Sequence, residues 1–163
     1  IPIVEKTPGA KSLIKEYTTH PSQFNKPLQG DVSKFVPSDI EKIDGLTNLI
    51  SQSELKEGII VYSGNDGRNT IALNLRPGDT MVHRSFQSTT TRIEVAHGFA
   101  NKNEIPVIEK ILVPPSKGVA LPIGSMTSAD KMEWEIILQR GLEREFVEEY
   151  KYNGILVLVF RVI

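Results

Sequence analysis

The chain has 163 residues, the length of one ordinary domain and enough to bury roughly two thirds of the surface that its unfolded form exposes. Its 19 basic and 20 acidic side chains, with 39% apolar and 24% charged residues, exclude a disordered segment and leave no electrostatic footprint for nucleic acid or an anionic membrane. The absence of cysteine excludes a disulfide framework, a thiolate zinc site and a cysteine nucleophile.

No apolar run approaches the roughly 18 to 20 residues of a membrane span, and the start of the chain lacks the basic and apolar segments of a signal peptide. The chain therefore reads as one soluble domain. It opens Ile1-Pro2-Ile3 without an initiator methionine, as expected of a processed product or a domain of a longer protein.

In chain order, Ala10 to Tyr17 reads as a short amphipathic helix and Ser38 to Leu55 as a longer one. Ser38 has the chemistry of an N-cap with Glu41 three residues on, and Ile40, Ile43, Leu46, Leu49 and Ile50 keep a 3.6-residue period. After Gly58 the pattern changes to short β-branched runs bounded by Gly, Pro and Asn. These predict strands at Ile59–Tyr62, Thr80–His83, Val107–Val113, Val119–Pro122, Trp134–Leu138, Glu143–Tyr150 and Ile155–Val162. One helix is expected among them, at Glu94–Ala100, with Val95 and Phe99 on one side. Pro114 to Gly118 and Tyr62 to Gly67 read as turns. Helices first and strands afterwards, without regular alternation, predict an α+β fold.

Three segments could carry chemistry. Glu133-Trp134-Glu135 opens a strand whose two-residue period places both carboxylates on one face, where they could polarise a hydroxyl or stabilise an oxocarbenium-like cation. The same pattern also fits a solvated strand edge. Ser88-Thr89-Thr90-Thr91 supplies more hydroxyls than one helix cap uses, and the surplus could bond a ribose or order a carboxylate. Ser63-Gly64-Asn65, at a strand end, lets a ligand approach the backbone. His20, His83 and His97 lack metal-ligand spacing, so no metal is implied.

Taken in order, these segments resemble the arginine, serine-threonine-serine and Glu-x-Glu motifs of the mono-ADP-ribosyltransferases. Tyr17-Thr18 with Asn25 and Leu28 resembles an early segment of that family, and Leu75-Arg76-Pro77-Gly78-Asp79 its Leu-x-x-Gly-Asp turn. Phe86-x-Ser88-Thr89-Thr90, Val95-Ala96-x-x-Phe99-Ala100 and Glu133-x-Glu135-Ile136-Ile137-Leu138-x-Arg140-Gly141 complete the likeness, which covers residues 15 to 163.

The resemblance implies N-terminal helices packed on two small, mostly antiparallel sheets that flank an NAD cleft. It implies NAD as substrate, no metal, and transfer of ADP-ribose to an arginine of a target protein with loss of nicotinamide. Glu135 would stabilise the ribosyl cation, Ser88 would orient Glu135, and Glu133 would engage the acceptor guanidinium. Ser63, Gly64, Arg68, Ser88, Thr89, Phe99 and Lys102 are the expected NAD contacts, Phe99 by stacking on nicotinamide and Lys102 near the diphosphate.

One position departs from the pattern: the family's first motif reads Tyr-Arg-Gly, and this chain has Tyr62-Ser63-Gly64. Serine cannot supply a guanidinium to a phosphate, and such a contact is worth about 2 to 5 kcal/mol. Arg68 and Arg84 are the candidate replacements, and a weakened or inactive binding module or an NAD glycohydrolase are the alternatives. A second departure is Asp130, in the expected acceptor loop Ser125 to Met132. The expected context is that of a bacterial toxin or a phage virion enzyme acting on host RNA polymerase or another host protein in a target-cell cytoplasm, as a monomer.

Overall fold

The computed structural model describes residues 2–30, 37–124 and 134–163. Six helices and ten strands follow one another along these residues. Helices α1 (Pro2–Lys6), α2 (Ala10–Thr19), α3 (Pro21–Leu28) and α4 (Pro37–Ser51) come first. Then follow β1 (Glu54–Leu55), β2 (Ile59–Asp66), α5 (Arg68–Ala72), β3 (Thr80–His83), β4 (Gln87–Thr90) and α6 (Ile93–Ala100). The rest are β5 (Pro106–Val113), β6 (Ser116–Lys117), β7 (Ala120–Pro122), β8 (Glu135–Leu138), β9 (Leu142–Tyr152) and β10 (Ile155–Val162).

This is the expected α+β order, and the strands are short and mostly antiparallel. Eight of them run in the order β3-β9-β10-β5-β2-β4-β8-β7, with β10 parallel to β5 and every other pair antiparallel, while β1 and β6 form a separate two-stranded ladder. The two expected sheets are two halves that touch at one backbone pair, Tyr62 opposite Thr90. On the five-stranded side β2 pairs with β5 from Ile59 to Asp66; on the three-stranded side β4 pairs with β8 from Gln87 to Thr90.

The N-terminal helices cover the smaller half. Ala10, Ile14 and Tyr17 of α2 recur at helical spacing and are buried with Ile43, Leu46, Leu49 and Ile50 of α4 against Phe86, Leu121, Ile123 and Ile137. Tyr17, Phe24 and Phe86 meet edge to face with centroids 5.3 to 6.4 Å apart, an arrangement worth about 0.5 to 1.5 kcal/mol per pair beyond burial. Arg140 Nε donates to Thr47 Oγ1 at 2.9 Å, and Gln139 Nε2 donates to Thr47 O at 3.0 Å. The turn after β8 is thereby tied to α4.

Several local expectations are corrected. Ser38 is not an N-cap, because α4 already begins at Pro37, whose fixed φ suits a first helical position. Helix α3 was hidden by its two prolines; Pro21 starts it, and Pro27 falls near its end, where no further turn depends on it. Residues 62 to 66 continue β2 rather than turning, since the ladder with β5 outweighs their turn propensity, and Gly67 then stands at the N-cap of α5. The hydroxyl run is strand β4, not a cap or turn, because its alternating side chains have a partner strand on each side. Leu55 lies in β1 rather than α4, and the Pro114 to Gly118 turn carries β6. The Leu75 to Asp79 segment is the expected turn: Asp79 Oδ2 accepts from Arg76 N at 2.8 Å, and Gly78 N donates to Phe146 O on β9.

Candidate active site

β2 and β4 diverge from their single pair, and the opening between them is closed by α6 on one side and by α2 and α3 on the other. Two connected cavities result. One of about 340 Å³ is lined by Tyr62, Ser63, Gly64, Ser88, Phe99 and Glu135, among others. The second, of about 760 Å³, continues from Ser63, Asn65 and Ser88 toward Asn25, Lys26, Arg84 and Arg144.

Gly64 lets α6 lie on the strand. A Cβ there would sit 2.0 Å from Ala96 O and 2.6 Å from Ala100 N, so any side chain would push the helix off. The helix in turn holds Phe99 at the cavity wall, where the residue is 49% exposed.

Glu135 starts β8 opposite Thr90, on the same face as Ser88 two residues along β4. Among the described residues its Oε2 is buried without a hydrogen-bond partner, and burial raises its pKa from 4.5 to about 7. A carboxyl held in that state is ready to oppose a positive charge entering the cavity.

Ser88 shares the cavity but bonds elsewhere: its Oγ lies 3.4 Å from Tyr17 Oη, which also accepts from Asn25 Nδ2 at 3.4 Å. Burial raises the Tyr17 pKa, offset by its bonds to Ser88 and Asn25. The neighbouring hydroxyls are structural as well as lining. Thr89 Oγ1 donates to Ile136 O at 2.6 Å, and Thr90 Oγ1 accepts from Arg92 N at 3.2 Å.

Ser63 is buried and exchanges a side-chain hydrogen bond with Asn65. Arg68 is largely exposed, lies 3.6 Å from both Asp66 and Glu104, and lines neither cavity. Lys102 stands 5.2 Å over the Phe99 ring, outside both linings. Arg84 does line the larger cavity, exposed to solvent. Glu133, Asp130 and the loop Ser125 to Met132 lie outside the described residues. His20 is exposed, His97 packs on Tyr152, and His83 Nδ1 bonds Ser85 O at 2.9 Å, with burial lowering its pKa. Among the described residues no group of His, Asp and Glu could hold a metal ion.

Sequence reasoning missed the floor of the larger cavity, where Gln87, Glu109 and Arg144 are buried together. A signal was present: Glu109 interrupts an apolar strand between Val107 and Ile111, and a buried carboxylate requires a cationic partner.

The family profile "ADP-ribosyltransferase exoenzyme" matches residues 3–155. The chain belongs to the ADP-ribosyltransferase exoenzymes. Solved structures agree in fold. Plx2a, an ADP-ribosyltransferase toxin from Paenibacillus larvae, is 20% identical with a TM-score of 0.77 over 96% of this chain and 87% of that one. The Clostridium limosum C3 exoenzyme is 16% identical, with a TM-score of 0.75 over 96% and 86%. C3stau2 from S. aureus, solved with NAD, is 19% identical, with a TM-score of 0.70 over 94% and 85%. A search of curated protein sequences gives no match.

An ADP-ribosyltransferase exoenzyme draws its ADP-ribose from NAD, so NAD is the substrate class of this domain. The fold is shared with toxins, and among the described residues no helix is long and apolar enough to cross a membrane.

Proposed function

We propose that the domain transfers ADP-ribose from NAD to an arginine side chain of a target protein. The observation that carries this reading is Glu135, a half-buried carboxyl without a hydrogen-bond partner among the described residues, in the same cavity as an exposed aromatic ring and a row of hydroxyls. NAD would lie across the cleft with nicotinamide against Phe99 and its ribose at Ser88 and Glu135. The C1′–N bond to nicotinamide breaks with its electron pair passing to the ring nitrogen, which leaves as neutral nicotinamide. Positive charge grows on the ribose, and an anion fixed beside it in a water-poor cavity is worth several kcal/mol. Glu135 is that anion. An acceptor guanidinium nitrogen then bonds C1′ and gives up a proton, for which Glu133, two residues earlier in the sequence, is the proposed acceptor.

Arg84 and Lys26, both exposed on the larger cavity, are the proposed cations for the diphosphate in place of the guanidinium that Ser63 lacks. Gly64 and Thr89 shape the wall, while Arg68 and Lys102, outside both linings, are the proposed contacts at the rim. The toxin names of structural relatives favour an effector, and a monomer acting on a host protein such as host RNA polymerase, in the target-cell cytoplasm, is the proposed setting. Ser63 itself favours a second reading, a weakened transferase-like module or an NAD glycohydrolase.

Incubation with labelled NAD and agmatine, a small guanidinium acceptor, separates these. The expected outcome is labelled agmatine together with nicotinamide release. Nicotinamide release without labelled agmatine or labelled protein supports the glycohydrolase, and no NAD binding by calorimetry ends the enzyme reading.

A further inference from the structure

The halves of the sheet carry different parts of the site. Ser63 and Gly64 belong to the five-stranded half, Ser88 and Glu135 to the three-stranded half, and among the described residues the only backbone ladder pair between them is Tyr62 with Thr90. Ladders hold strands rigid through consecutive hydrogen bonds, and one antiparallel pair supplies two at most. Beyond that pair the halves also pack through apolar side chains, Val61, Ile111 and Val113 of one against Ala120, Ile136 and Leu138 of the other, a non-directional contact that fixes their angle less sharply than hydrogen bonds do.

A second tie crosses the same junction through side chains. Gln87 of β4 donates Nε2 to Glu109 Oε1 of β5 at 2.7 Å and accepts on its Oε1 from Arg144 Nη1 of β9 at 2.9 Å. Arg144 Nη2 donates to the same Glu109 Oε1 at 2.8 Å, closing a ring of three hydrogen bonds. Gln87, Glu109 and Arg144 are only 7%, 4% and 1% exposed. The amide is held one way round, because flipping it would set its NH₂ against the guanidinium and its oxygen against the carboxylate. Gln87 stands three residues from Thr90, about 10 Å along a strand. Added to the shared apolar packing, two hydrogen-bonded points at that separation oppose rotation about the single ladder pair.

Stability alone does not account for the trio. Burying an ion pair costs about what its attraction returns, and an apolar trio of similar volume stabilises as well or better. Arg144 Nε is moreover buried without a partner among the described residues, which adds a penalty.

We propose that Gln87, Glu109 and Arg144 form a strut that sets the width of the cleft, and that Gln87 is a positioning residue for Ser88 and, through the β4–β8 ladder, for Glu135. The strut's role in turnover rests on the reading of the cleft as an NAD site; its role in cleft width does not.

The chain has no cysteine, so a Thr91→Cys, Glu148→Cys double variant places one spin label on each half at exposed positions. In this background Gln87→Leu cuts the strut and leaves the ion pair whole, while Glu109→Leu with Arg144→Met removes the pair together and leaves Gln87. Both are expected to broaden the distribution of distances between labels. In the unlabelled protein both are expected to lower kcat for NAD hydrolysis by about ten-fold or more, since misplacement by 1 Å can cost about a hundred-fold. The variant with all three substitutions should be no worse than either alone, because one strut is being cut twice.

Unchanged distance distributions would overturn the proposal. So would a loss of turnover in Gln87→Leu that the pair variant does not share, which would make Gln87 a direct ligand contact instead. Should the pair variant fail to fold, the label distances in Gln87→Leu decide alone. A parent that binds no NAD refutes the functional reading, and the label distances still test the strut.

Discussion

Thr90 and Glu135 stand directly opposite one another across the β4–β8 ladder, and Thr90 is also the residue through which β4 meets Tyr62 of β2. The carboxyl at the centre of the site is therefore anchored one strand away from the point where the halves of the sheet join. Its surroundings keep it half-buried, without a hydrogen-bond partner among the described residues, which has measurable consequences for pH.

Glu135→Gln is expected to lower transfer and NAD hydrolysis by at least about a hundred-fold, because the amide keeps the shape and removes the charge. In the parent, kcat/KM for NAD hydrolysis should rise with pH through about 7, as the carboxyl ionises. Stability should move the other way. Below the ordinary value of 4.5 the group is protonated folded or unfolded; between 4.5 and about 7 only the unfolded chain ionises it, so the parent loses stability as pH rises. Glu135→Gln escapes that loss and should be more stable than the parent above pH 7, by about 2 kcal/mol after allowance for partial exposure. Thermal melts at acid and alkaline pH check this, and equal stability at both would remove the burial argument.

Glu133→Gln should depress labelling of agmatine or protein arginine by ten-fold or more, roughly 1.4 kcal/mol, while nicotinamide release into water falls much less. Parallel loss of both reactions would assign Glu133 to nicotinamide departure rather than to the acceptor.

Gly64→Ala should cost about 3 kcal/mol or prevent folding, since the added methyl meets helix backbone and no side chain can rotate away. Denaturant melts read this directly. A variant of parental stability would show that α6 shifts freely on β2.

Tyr17→Phe keeps the aromatic cluster with Phe24 and Phe86 but removes the hydroxyl shared by Ser88 and Asn25. The expected cost is about 1 kcal/mol of stability. NAD hydrolysis should fall about ten-fold as Ser88 loses its orientation. Full turnover in the folded variant would show that Ser88 does not depend on Tyr17.

Arg84→Ala should weaken NAD binding about ten-fold, or 1.4 kcal/mol, by removing a cation from the larger cavity. Ser63→Arg should leave affinity level or lower, because residue 63 lies opposite Glu109, whose charge Arg144 already occupies, and a second buried guanidinium meets like charge. Calorimetric titration distinguishes the cases. A ten-fold gain for Ser63→Arg would mean instead that the cleft is disabled at that one contact.

The sequence by itself determined the α+β order, the strands at Thr80–His83 and Ile155–Val162, and the carboxylate of Glu135, because periodicity and side-chain chemistry are local properties. It also placed Ser88, Gly64 and Phe99 in one candidate site, and all three line one cavity with Glu135. Only the tertiary structure made β4 a strand, since a run of four polar residues has no apolar alternation to mark it and the ladders on either side fix its extended geometry. It alone moved Arg68 and Lys102 outside the cavity linings and brought Arg84 into one. Gln87, Glu109 and Arg144 lie 22 to 57 residues apart, and their meeting could not be read from local pattern: which buried charge finds which partner is decided by strand order.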